Sequence, residues 1–292
     1  LVFYFWQPFA IYWIARQSAL TPARLRLVHV VLAIFSVYLA LTALAEVQHA
    51  SALVFPKYIL TTKVADWGWR AQGPFLSPPT NGLYLGMALC VWMMFWPRAG
   101  RRGRAALLVA MGLMLLGVYL TLTRACWLGA LLGVWVVLVL ALPRHWRSRL
   151  VVCSVLLAAV VLPIASSSLV GFKRGPRQSA EVTALSAKLR PTIATLQWNV
   201  FVHHPLFGCG LGNYQKVNVD YVRDTQTDLP LDSAKGFAHH NMFLAILTET
   251  GIIGFACYLA VLGFWSYGAF LLWRRRDRPL EARQQGLLWL GY

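Results

Sequence analysis

The sequence predicts an all-α integral membrane protein, a multispanning helical bundle with a large helical loop on one side. Three observations predict it. Hydrophobic residues make up 58% of the 292 positions, with a mean hydropathy of +0.57, above the apolar share of ordinary soluble domains. Apolar runs recur at the length of about 20 residues that a helix needs to cross about 30 Å of hydrocarbon. Basic residues gather in alternate connections, as they do in short cytoplasmic loops.

Spans are expected near 1–15, 27–45, 81–96, 105–122, 125–142, 150–166 and 252–273, with an eighth beginning near 284. The chain opens on Leu1 and stops at Tyr292 inside that last run, so it is expected to be part of a longer protein, with residues 1–292 forming one polytopic domain. One set of connections holds Arg16, Arg24 and Arg26, then the Arg98–Arg104 and Arg144–Arg149 groups, then Arg274–Arg283. Together these contain 15 of the 27 basic residues against two acids, Asp277 and Glu281. The other set is the short turn at Arg124, a small loop at 46–80 and a large loop at 167–240, with 12 basic and 7 acidic residues in all, Glu249 following just beyond. The second set is expected to face outward. The net charge of +17 therefore follows membrane topology and not a nucleic-acid footprint.

Four cysteines, Cys90, Cys126, Cys153 and Cys257, fall in spans, and only Cys209 lies in an outer loop. One exposed cysteine builds no disulfide framework. No Cys-x-x-Cys, phosphate-binding loop or dinucleotide fingerprint occurs, so no cofactor is expected.

The chemistry then has to come from loops and helix ends. In the small loop, Arg70 sits in a Pro- and Gly-rich stretch running to Asn81, which reads as a defined turn. Arg124 is the one charge between Ala105 and Leu142. An arginine in hydrocarbon is costly, so the run must fold into two helices with Arg124 at their turn. There it either snorkels to the interface or holds phosphate in its planar fork. In the large loop, Leu189, Ile193, Leu196, Trp198, Val200 and Phe201 give residues 186–204 an amphipathic pattern, with Arg190 at its head. The following Gly208-Cys-Gly210-Leu-Gly212 permits a tight backbone. Asp220, Asp224, Asp228 and Asp232 recur every fourth residue, the spacing of a solvated helical face. The pairs His203-His204 and His239-His240 point in different directions within each pair and do not chelate a metal on their own, so no metal site is expected. His240-Asn241 stands nine residues before Gly251-x-x-Gly254, which opens a long apolar run. It places a residue that titrates near neutral pH at a membrane surface.

That last arrangement resembles the signature of the bacterial O-antigen ligase and O-antigen polymerase superfamily. Thr123-Arg124-Ala-Cys-Trp-Leu-Gly129 is similar to the family's Ser/Thr-Arg segment. The stretch from Arg190 to Tyr214 resembles its large periplasmic loop, and Arg70 to Asn81 an earlier one. The resemblance covers about residues 65–273 and implies a metal-independent, inverting glycosyl transfer at the periplasmic face of the bacterial inner membrane. The donor would be a glycan on undecaprenyl pyrophosphate. Arg124 and Arg190, with Arg70 lining the opposite side, would hold the pyrophosphate, and His240 would take the proton of an acceptor hydroxyl. Asn241 would cap the helix or fix the ring. Glu249, an acid in an apolar helix, requires a partner and would support the site from behind. The acceptor is left open between lipid A core, a growing glycan and a protein hydroxyl. A transporter is the contrasting class, disfavoured because the spans carry almost no charge near mid-membrane.

Overall fold

The computed structural model describes residues 6–18, 21–61, 70–171, 180–222, 230–236, 239, 241–275, 277 and 280–291, with backbone alone at 7–8, 144, 160–171 and 180–188. The helices in chain order are α1 (Gln7–Gln17), α2 (Pro22–Val47), α3 (Tyr58–Thr61), α4 (Pro78–Phe95), α5 (Arg101–Leu120), α6 (Arg124–Ala141), α7 (Arg144–Gly171), α8 (Ala180–His203), α9 (Tyr214–Val217), α10 (Met242–Arg274) and α11 (Leu280–Gly291). Short 3-10 turns lie in several of the connections, and there is no strand among the described residues. The protein is an all-α integral membrane protein. By length and composition α2, α5, α6 and α10 are each apolar enough to cross a membrane. Their outward faces carry residues such as Val109, Leu128, Leu131 and Val261, each more than 65% exposed, a burden of open apolar surface that suits lipid and not water. Among the described residues the expected spans fall on helices, with one correction at the seventh: α10 starts at Met242, ten residues before the expected 252.

The chain divides into two compact units, Leu1–Pro143 with Gly268–Tyr292, and Arg144–Tyr267. The first unit is built on α2, α4, α5 and α6, whose core includes Leu39, Leu85, Leu89, Met114 and Val118. Helices α4 and α6 approach closely because small residues face each other one turn apart. A Cβ on Gly82 would lie 2.8 Å from Cys126 Sγ, and one on Gly86 would lie 3.3 Å from Ala130 Cβ. Without water to drive association, such small-residue seams are what lets helices pack inside a bilayer. Helix α11 closes a second cluster, where Leu287 and Leu288 meet Cys90, Met94 and Val137.

The two ends of this unit differ in kind. At the arginine-rich end Thr21 caps α2, its hydroxyl accepting from Arg24 N–H at 3.3 Å. Glu281 of α11 accepts from Arg26 at 2.9 Å and Arg98 at 2.7 Å. The Arg26 hydrogen bond holds that carboxyl below the usual glutamate range. At the opposite end Glu46, 2% exposed, accepts the N–H groups of Gln72 and Gly73 at 3.1 and 2.8 Å. Ser77 caps α4, with Pro78 at its first position, where a missing N–H costs nothing.

In the second unit α8 buries Ile193, Leu196 and Val200, an i, i+3, i+7 stripe as the sequence pattern requires. Ile193 and Leu196 pack, with Leu189 and Tyr221, on Val222, Leu231 and Ala234. Trp198, assigned to the same apolar pattern, is 52% exposed instead; at i+5 from Ile193 it falls on the far side of a 3.6-residue helix.

Candidate functional site

In the first unit the site residues gather at the α5–α6 turn. Thr121-Leu122-Thr123 reverses the chain, with Leu122 in the left-handed region at φ 47°. Trp127 of α6 stacks on Tyr119 of α5, ring centroids 5.4 Å apart, and its indole N–H donates to Val118 O. Arg124 is the first residue of α6 and half-buried, so its charge stands beside the N–H groups that a helix start leaves open to an anion. Arg70, expected to line the site from the opposite side, is bonded into this same turn. It is 7% exposed, with Nε donating to Thr121 O at 2.9 Å and Nη2 to Thr123 Oγ1 at 2.6 Å. Ala71 N–H adds a bond to Leu120 O at 3.1 Å. Arg70 therefore sets the shape of the turn that presents Arg124, and Glu46 in turn fixes the loop that follows Arg70. Glu46 was not singled out from sequence. The signal for it was present: an acid at the end of an apolar span needs a partner.

In the second unit the centre is a break in α10. Gly251 has φ 66° and ψ −171° inside an otherwise continuous helix, a conformation close to exclusive to glycine. The break frees two carbonyls before it and two N–H groups after it, and the glycine-rich loop takes up all four. Cys209 N–H donates to Thr248 O and Gly210 N–H to Glu249 O, both at 3.0 Å, while Ile252 N–H donates to Pro205 O at 2.8 Å and Ile253 N–H to Leu206 O at 3.4 Å. A Cβ on Gly251 would stand 2.2 Å from Leu206 O, and one on Gly208 would stand 2.3 Å from the Glu249 carbonyl carbon. The spacing of Gly208-x-Gly210 and Gly251-x-x-Gly254 is thus one structure seen from its two sides. The expected role of Gly251 as a helix start holds for the second half of α10. The first half starts at Met242, where Asn241 Oδ1 accepts from Leu244 N–H at 3.2 Å, so Asn241 is a helix cap.

Glu249 has the partner its position demanded. Its Oε1 lies 3.0 Å from Nε2 of His239, with side chains 16% and 22% exposed. The other ring nitrogen of His239, Nδ1, is hydrogen-bonded by the buried Gln197 amide of α8. Its ring stacks on Tyr214, centroids 4.2 Å apart at 26°. Burial pushes the Tyr214 phenol up to about 12. It also pushes the Cys209 thiol up, with the Glu249 carboxylate adding to the effect. His239, Gln197 and Tyr214 were not among the residues expected at the site. Only the amphipathic face of α8, which places Gln197 between Leu196 and Val200, hinted at one of them.

His240 lies outside the described residues, as do Asp224 and Asp228. Asp220 and Asp232 sit in two separate 3-10 turns, so the acidic repeat does not form one helical face. Arg190 departs from expectation. Helix α8 begins at Ala180, which puts Arg190 in the middle of the helix just before Pro191 and not at its head. It is exposed and stands seven residues before Gln197 on the same helical face, about 10 Å away along the axis. His203 and His204 do not converge on a metal. Nδ1 of His203 is bonded to Asn199 O at 2.8 Å and Nε2 of His204 to the Tyr221 hydroxyl at 3.1 Å. Among the described residues no three of His, Cys, Asp and Glu come together as metal ligands would.

A family model described as O-antigen ligase matches residues 109–259, just over half of the chain. The match takes in α6 with Arg124, all of α8, the glycine-rich loop and the break in α10. No curated protein and no solved structure matches the chain.

Proposed function

The chain belongs to the O-antigen ligase family, and from that premise we propose that it transfers a glycan from undecaprenyl pyrophosphate to an acceptor hydroxyl at the periplasmic face of the bacterial inner membrane. The observation that carries this reading is the α5–α6 turn, where Arg124 heads α6 and Arg70 braces the turn beneath it. Cation and helix N-terminus act together on a single anion, at the end of an apolar bundle, which is where a lipid-linked pyrophosphate presents its charge. The guanidinium offers two parallel N–H donors, and they gain as negative charge grows on the leaving pyrophosphate.

His240 takes the proton of the attacking hydroxyl in this reading, and Arg190 supplies a second phosphate contact from α8. Attack on the anomeric carbon opposite the departing pyrophosphate inverts its configuration. The sequence offers no metal-ligand set, so the negative charge falls to the arginines. A ligase, which moves a finished glycan to lipid A core, is the leading form of the activity. Extension of a lipid-linked glycan and transfer to protein hydroxyls differ from it only in the acceptor. The break in α10 speaks against a carrier, because four of its backbone groups are taken up by the glycine-rich loop where a broken helix of a carrier would turn them to cargo.

The test is transfer by the full-length protein in proteoliposomes, given labelled undecaprenyl-pyrophosphate-linked glycan with lipid A core, free glycan or protein as acceptor. His240→Ala should cut transfer about 10²–10⁴-fold, the usual cost of losing a positioned base, while donor binding persists. EDTA should leave the rate unchanged. A His240→Ala protein at the wild-type rate, or a strict divalent-metal requirement, would refute the mechanism.

A further inference from the structure

His239 precedes the proposed base, yet its surroundings are those of an anchor. A general base needs a nitrogen with a lone pair turned toward its substrate. In His239 the Gln197 amide donates to Nδ1, which leaves the proton on Nε2 to donate to Glu249 Oε1 at 3.0 Å. One face of the ring is covered by Tyr214. Both nitrogens and a face are therefore engaged, in a place where carboxylate and imidazole are more than three-quarters buried and their attraction is little screened. The three partners come from three elements: Gln197 from α8, Tyr214 from the start of α9, and Glu249 from the last turn before the break in α10. Glu249 is also tied through its carbonyl to Gly210.

We propose that His239 is a positioning residue, clamped by Glu249, Gln197 and Tyr214 so that the chain entering α10 at Asn241 is anchored beside α8. The proposal rests on the reading of His240 as the base. A misplacement of a reacting group by about 1 Å costs on the order of 10²-fold in rate, which is what loss of the anchor would cause.

The experiment is a cycle of His239→Ala, Glu249→Gln and the double variant in the full-length protein, with His239→Gln alongside. Each is read by kcat, by KM for labelled lipid-linked glycan and by thermal unfolding in detergent. Each single variant should lower kcat about 10–100-fold with KM for the donor within about twofold, and the double variant should be no slower than the worse single one. Glutamine offers an N–H toward Glu249 from nearly the place of Nε2 but cannot serve as a base. His239→Gln should therefore restore at least half of the loss on a logarithmic scale. A smaller restoration, or a His239→Ala protein at the wild-type rate, overturns the proposal. A wild-type protein that transfers no glycan defeats the functional reading instead. The unfolding cycle then decides the clamp without substrate: non-additive losses at 239 and 249 uphold it, and additive losses overturn it.

Discussion

Replacing Gly251 with alanine tests the stitched break in α10 more severely than any other single change. The backbone conformation there, φ 66° and ψ −171°, costs a non-glycine residue about 1–3 kcal/mol. The new methyl carbon would stand 2.2 Å from Leu206 O, 2.3 Å from its carbonyl carbon and 2.6 Å from Phe207 N. These are backbone atoms, so no rotamer relieves the clash, and the loop must lift by more than 1 Å to reach ordinary contact at 3.4 Å. Such a lift breaks the bonds from Ile252 and Ile253 to Pro205 and Leu206, at about 0.5–1.5 kcal/mol each. The combined cost is about 2–6 kcal/mol. Gly263, on the same helix, is the control, because a Cβ there meets nothing within 4 Å and alanine should be neutral or stabilising by up to about 1 kcal/mol. Thermal unfolding in detergent gives one measurement. Alkylation of Cys209 by a water-soluble maleimide gives a second, since its N–H is bonded to Thr248 O and its thiol is held up by burial; lifting the loop should speed the reaction. Equal unfolding temperatures and equal Cys209 labelling in the two variants would refute the stitch.

Three further outcomes are expected. Arg124→Lys and Arg190→Lys should each weaken donor binding and transfer, because lysine keeps the charge but loses the two-pronged donor; full activity and affinity in both would end the phosphate assignment. The buried Tyr214 phenol, raised to about 12, is protonated when folded, whereas in the unfolded chain it ionises near the ordinary value of about 10. Its contribution to stability is fully present below about pH 10 and is lost as the pH rises toward 12, so Tyr214→Phe should flatten that part of the unfolding-temperature profile, and an unchanged profile would count against it. For topology, Ser179→Cys should react with an impermeant reagent from the periplasmic side and Gly103→Cys should not; the reverse pattern would remove His240 from the donor side.

Much of the fold was legible because bilayer-spanning helices leave a simple trace: an apolar run of fixed length, interrupted by arginines. Arg124 shows how strong that trace is, since a single charge among apolar residues was enough to locate the α5–α6 turn. The N-terminal limit of α10 was missed for the same reason. Its first turns contain Thr248, Glu249 and Thr250, and hydropathy alone favours a start at Ile252, where the apolar run is clean. The extent of α8 was missed because residues 180–185 carry no apolar stripe of their own. Within the candidate site, the turn at Arg124 and the glycine motif were legible, but the place of Arg190 along α8 and the partners of Glu249 were not. That Glu249 needed a partner followed from its place in an apolar helix. That the partner is His239 depends on how the glycine-rich loop and α8 fold back on α10, and no spacing along the chain encodes that.

The four backbone bonds between residues 205–210 and 248–253 also close a loop, in the sense that a ring is closed by its clasp. The stretch between them adds packing of its own, Val222, Leu231 and Ala234 lying against α8, while the entropy of closing such a loop rises by only about 0.6 kcal/mol for each doubling of length. One added residue inside the clasp would throw its donors and acceptors out of register. Homologous chains should keep the spacing within each half of the clasp, residues 205–210 and 248–253, since each main-chain donor there meets one fixed acceptor.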